Sequence, residues 1–324
     1  MKPDLYRVAH SCLTNLTHLE PHHRVLVVTD AETGHIGELF ANAAGALAAE
    51  VSMITMQTRR KHGEEPPGTV AAAMLQADLI VQAVKYALTH TAATRAALAQ
   101  DAQVFVLRGA TEEMLLSDII NVDWAELRRV TRNVADRLSA ASELRVTTEA
   151  GTDLLMSLRG RDAVALAGGT SPGRFGGPRS GEAAIAPVEG SANGTVVIEH
   201  SMDNLGLLDA PITLLIEAGR ATSVQGGGGA EELRRLLGES DKNATNLAEF
   251  AIGTNPNARF TGNLATDKKV RGSAHVALGD SRSLGGSIES DLHVDGMLLR
   301  PTVRVDGELL VDHGELILTD RASA

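Results

Sequence analysis

The chain has 324 residues, 43% of them hydrophobic and only 2% aromatic, with a formal net charge of −11. Its size exceeds the usual single core and predicts two domains. The acidic balance and the shortage of stacking side chains exclude a nucleic-acid or anionic-membrane partner, and the single cysteine, Cys12, excludes an intrachain disulfide and a thiolate metal cluster.

The opening "MKPDLYRVAHSCL" lacks the apolar core of a signal peptide, and no apolar run reaches membrane-spanning length. The expected address is the cytoplasm. "RVLVVTD" (24–30) is a β-branched run that predicts a strand, followed by a small-residue helix, "IGELFANAAGALAAE" (36–50). "VSMITMQT" (51–58) reads as the next strand. After the breaker-rich "HGEEPPGT", "VAAAMLQA" predicts a helix and "DLIVQAV" a strand. "TAATRAALAQ" (91–100) and "AQVFVLRG" (102–109) repeat the alternation, and "WAELRRVTRNVADRLSAAS" is a long amphipathic helix. Alternation of this kind predicts a Rossmann-like parallel sheet.

The pattern changes between residues 138 and 145, which divides the chain into an α/β domain over 1–140 and a β-rich domain over 141–324. "GTVVIEH" (194–200), "PITLLIEAGRATSVQGGGG" (211–229) and "PTVRVDGELLVDHGELIL" (301–318) read as antiparallel strands, with Asp306-Gly307 as a type I′ turn. The helix "AEELRRLLGE" (230–239) interrupts them.

Two glycine-bearing stretches invite a nucleotide reading. "TDAETGHIGE" has Gly34 and Gly37 but lacks the third fingerprint glycine, and its acidic loop would repel a pyrophosphate. "VQGGGGAEELRRLL" lacks the Lys-Ser/Thr ending of a P-loop, and two glutamates in the first helical turn oppose an anion, so a flexible connector is expected.

The second half carries more chemistry. In "ESDLHVDGM", His293 and Asp295 flank one valine, and period-two geometry places both side chains on one face of a strand. His275 stands in the small-residue strand "GSAHVALGD". Glu182 in "SGEAAIAPVEGS" and Glu249 in "NLAEFAIGTN" lie in apolar surroundings, where a carboxylate either faces solvent or is paired. A divalent cation lets several inward acids coexist, and two His, two Glu and one Asp suit Zn²⁺, Mn²⁺, Co²⁺ or Fe²⁺. Each residue taken singly also fits an exposed strand of an acidic protein.

"GEAAIAPVEGSANGTVVIE", "NLAEFAIGTNPNARFTGN", "GSAHVALGD" and "SDLHVDGMLLRPTV" occur in the order found in the thermophilic metallo-aminopeptidases, the family that includes aminopeptidase T. The resemblance covers residues 140–318 and, more loosely, the first half. It implies a homodimeric, metal-dependent hydrolase of short peptides or another small amide, with the metal in the β-rich domain. Glu182, Glu249, His275, His293 and Asp295 would be metal ligands, and Glu182 or Glu249 the general base. The chain departs from the peptidases in "ATDKKVRGSAH", where Asp267 is followed by Lys268 and Lys269 before His275. A cation in that place disfavours a second metal. The same superfamily contains 2,5-dihydroxypyridine 5,6-dioxygenase, a mononuclear non-heme iron enzyme, which gives the alternative reading. Retention of Glu249 and His275 sides with the hydrolases. A non-catalytic binding protein on the same scaffold is the third reading.

Overall fold

The computed structural model describes residues 3–48 and 50–318. The chain divides into two compact units, one running to Trp124 and including Gly168–Ser180, the other made of Ala125–Ala167 and Gly181 onward. This differs from a single boundary at 140/141 in two ways. The long helix Trp124–Ala140 goes almost entirely with the second unit, where Val134, Ala135 and Leu138 join its core. The segment 168–180 returns to the first.

The first unit is built on a five-stranded parallel sheet. Its order is Glu50–Met56, Arg24–Asp30, Leu79–Ala83, Gln103–Val106 and the two-residue Phe175–Gly176. The three central strands are buried on both faces, as parallel strands between helices must be, whereas the edge strands Glu50–Met56 and Phe175–Gly176 are largely exposed. Helices Gly68–Met74 and Ala92–Leu98 contribute Val70, Met74, Ala93 and Ala97 to a core with Leu26, Val28, Ile80 and Val104. Helices Pro3–Leu16 and Gly34–Gly45 pack against each other. The first of these had no counterpart in the sequence reading. The second ends earlier than expected, and Ala49 at its expected end lies outside the described residues.

The second unit is a pair of antiparallel sheets, of eight and seven strands. Their facing sides share one core. Leu144, Val146, Leu154, Val196 and Leu214 come from the larger sheet, and Ile185, Phe250, Ile252, Val276, Val294 and Leu298 from the smaller. The hairpin at Asp306-Gly307 forms as expected, with both residues at positive φ. The glycine run is not a loose connector. Gly226 ends a strand, Gly228 begins the helix Gly228–Glu239, and a Cβ at Gly226 would collide with the Pro211 carbonyl. Among the described residues no helix is long and apolar enough to cross a membrane.

Candidate metal centre

Alternation along four adjacent strands of the seven-stranded sheet separates core residues from site residues. On the strand Glu182–Ile185, Ala183 and Ile185 enter the core and Glu182 faces outward. On Ala274–Gly279, Ala274, Val276 and Leu278 enter the core, which turns His275 outward. On His293–Leu298, Val294 and Leu298 do the same, which turns His293 and Asp295 outward. The strand Leu247–Gly253 breaks the rule. Leu247 and Phe250, three residues apart, both reach the core, because the pairing register shifts between Leu247 and Glu249. That bulge puts Glu249 on the outer face with the others. Pairing then aligns Glu249, Ala277 and Asp295 in one row across three strands, with an alanine between the two acids.

Four of the five expected residues converge. His275 Nε2 lies 3.1 Å from Glu249 Oε1, and His293 Nε2 lies 3.1 Å from both Glu249 Oε2 and Asp295 Oδ1. His293 Nδ1 donates to the Asp280 carbonyl at 2.8 Å, so Nε2 is the atom turned to the acids. Glu249, His275 and Asp295 are buried, whereas the His293 side chain is 34% exposed and marks the mouth. Burial raises the Glu249 pKa, but its bonds to the two imidazoles outweigh that and bring it down to about 2. Burial opposes the charged form of His293, but Asp295 and Glu249 push it up to about 11. Asp295 is likewise held well below the carboxylate range: burial opposes this, and Lys268 and His293 outweigh it.

Glu182 is drawn elsewhere. Its Oε1 pairs closely with Lys269 Nζ and lies 3.9 Å from Lys268 Nζ, which donates to Asp295 Oδ2 at 2.7 Å. Both lysines lie in the stretch where the sequence departs from the peptidases. Asp267 does not reach the cluster. It accepts from the Thr261 amide and the Ser201 hydroxyl, each at 2.7 Å, with His200 Nε2 at 3.3 Å. Asp203, also absent from the sequence reading, accepts from the Asp295 amide at 3.3 Å, and its pKa is raised by burial and then by the neighbouring Asp295 charge.

The donor set fits one divalent cation. Ligands ~2.1 Å from an ion stand about 3.0–3.4 Å apart at right or tetrahedral angles, close to the 3.1 Å separations here. Despite that distance, His293 Nε2 and Asp295 Oδ1 are not aligned for a hydrogen bond. Asp295 Oδ1 is buried without a hydrogen-bond partner, as is His275 Nδ1. Glu249, His275 and Asp295 offer ligand atoms that all lie within 4.8 Å of one another, and His293 stands at the edge of that group, with Nε2 3.1 Å from both acids.

In fold, the chain is similar to 2,5-dihydroxypyridine dioxygenase from Pseudomonas putida KT2440, with a TM-score of 0.81 at 21% identity over 98% of this chain and 97% of that one. It is also similar to wild-type AmpT from Thermus thermophilus, with a TM-score of 0.71 at 20% identity over 98% and 99% of the two chains. No curated protein matches it in sequence. The family model described as NicX: 2,5-dihydroxypyridine 5,6-dioxygenase matches residues 7–318. With nearly its whole length matched, the chain belongs to the NicX family.

Proposed function

We propose that the protein is a mononuclear metal enzyme, its ion held by Glu249, His275, His293 and Asp295, and that it opens a small hydroxylated aromatic ring with dioxygen. The observation that carries this reading is the convergence of two imidazoles and two carboxylates, at 3.1 Å separations, on the outer face of one sheet. Two His with carboxylate oxygen is a ligand set suited to non-heme iron. The resemblance read from the sequence places the hydrolase first; membership of the NicX family reverses that order.

Bound iron(II) would supply the redox chemistry that lets dioxygen react with an electron-rich ring. The protein's own groups hold the frame. The Asp280 carbonyl fixes the His293 ring through Nδ1, leaving Nε2 free for the ion. Glu249 holds its carboxylate between the two imidazoles. Lys268 Nζ keeps its proton: burial opposes the charge, but Glu182, Asp295 and Glu249 raise its pKa well above the usual value. It is therefore a fixed positive group beside the site, placed to attract an ionised ring hydroxyl.

A metal-dependent hydrolase is the second reading. It is favoured by the retention in the cluster of Glu249 and His275, the two residues on which the sequence sides with the hydrolases. One experiment separates the two. The chelated protein is reloaded with Fe²⁺, Zn²⁺, Co²⁺ or Mn²⁺ and assayed for oxygen consumption on 2,5-dihydroxypyridine and for cleavage of aminoacyl nitroanilides. Oxygen uptake with iron alone supports ring opening. Nitroanilide cleavage without oxygen uptake overturns it in favour of the hydrolase, and neither activity in a metal-loaded sample points to a binding protein.

A further inference from the structure

Two lysines stand among the outward-facing acids of the seven-stranded sheet. Lys268 Nζ lies between Asp295 Oδ2, at 2.7 Å, and Glu182 Oε1, at 3.9 Å. Lys269 Nζ pairs with the same Glu182 oxygen. The Lys269 side chain is buried and that of Lys268 is 22% exposed. A cation shared by Asp295 and Glu182 would have to occupy the space that the Lys268 ammonium fills.

The ammonium is held there by a fixed backbone. Lys268 follows the short helix Leu264–Asp267, and its amide bonds to Leu264 O. Asp267 ties that turn to Thr261 and Ser201. Beyond it, the Lys269 carbonyl accepts from the Asn255 amide at 2.9 Å, and the Val270 carbonyl packs against Gly253, where a Cβ would collide with it. The two lysines are therefore presented by a loop locked at both ends.

A second cation held by Asp295 and Glu182 would also meet like charge, because the Lys268 ammonium stands 2.7 Å from the one acid and 3.9 Å from the other.

We propose that Lys268 is a built-in substitute for a second metal ion, limiting the site to one divalent cation per chain. This rests on the reading of the cluster as a metal centre. The test uses full-length protein stripped by chelation, reloaded with Mn²⁺ and dialysed, with manganese counted by mass spectrometry and its coupling read by electron paramagnetic resonance. The unmodified protein is expected to hold one equivalent with an isolated-ion spectrum. Lys268→Glu is expected to hold two, with an exchange-coupled spectrum. Lys268→Met, which removes the charge while keeping similar volume, is expected to take up a second equivalent more weakly, and it serves in place of Lys268→Glu if that variant loses its near-ultraviolet circular dichroism. Two equivalents in the unmodified protein, or one equivalent in folded variants as well, overturn the inference alone. No bound manganese in the unmodified protein sinks the metal reading and the inference with it.

Discussion

The main-chain oxygen of Asp280 accepts a hydrogen bond from His293 Nδ1 at 2.8 Å, and this bond decides which ring nitrogen meets Glu249 and Asp295. His293 and Asp295 thus share one task, but their removal should have unequal structural costs. His293 is part-exposed, so water can re-solvate Glu249 and Asp295 once its side chain is lost, and its removal should cost about 1–2 kcal/mol. Asp295→Ala removes the acid that the Lys268 ammonium bonds at 2.7 Å, leaving Glu182 3.9 Å away, and should cost about 3 kcal/mol. Both variants should lose bound metal and activity. Urea unfolding of the metal-free proteins, with metal content measured in parallel, checks this; equal stability losses, or metal retained by either variant, would refute it.

Glu182 and Lys269 should behave as a coupled unit. Their side chains are 3% and 8% exposed, so each leaves the other as a buried charge when removed. Lys269→Met alone should cost about 3 kcal/mol, whereas the double variant Glu182→Gln/Lys269→Met should cost clearly less than the sum of the single changes. A double-mutant cycle in urea measures the coupling. Strict additivity would mean that the pair is not coupled.

Much of this site was legible in the sequence because a strand has a period of two. His293-Val-Asp295 and His275 between small residues disclose a face without any knowledge of the partners. Glu249 was legible as an acid in apolar surroundings, but not the bulge that aims it, since the short apolar run around it fits either register. Glu182 was legible as an acid that needs either solvent or a partner, but the partner itself was not. Lys269 lies far from it along the chain, and only the loop over Gly253 brings the two together. The strand Phe175–Gly176 left no signal, because two residues inside a Gly- and Pro-rich stretch have no periodicity.

Gly253 should be intolerant of even one methyl group. A Cβ there would meet the Val270 carbonyl, and backbone cannot step aside as a flexible side chain can. Gly253→Ala is expected to destabilise the protein by about 1–3 kcal/mol through overpacking. It should also loosen the segment carrying Lys268 and Lys269, which hydrogen exchange of residues 264–272 would register as faster exchange. A stable variant with unchanged exchange would contradict that account.

Cys12 should be silent toward thiol reagents until the first unit opens. The residue is buried, and burial pushes its thiol up to about 12, so at pH 8 only about one molecule in 10⁴ carries the reactive thiolate. Dithionitrobenzoate should release no colour from native protein and one equivalent in denaturant. Rapid reaction of the native protein would show that this helix is not packed as described.

The return of residues 168–180 to the first unit has a consequence for the order in which the protein can be completed on the ribosome. The strand Gln103–Val106 has its outer edge covered only by Phe175–Gly176, made about 70 residues later. At the usual pace of synthesis that is a wait of roughly 4–14 s. During it, the nascent parallel sheet presents an unpaired edge, while the first strands of the second unit are already emerging. A message shortened to residues 1–124 would leave that edge permanently bare, so the first unit is predicted to be an aggregation-prone fragment unless the 168–180 segment is supplied with it.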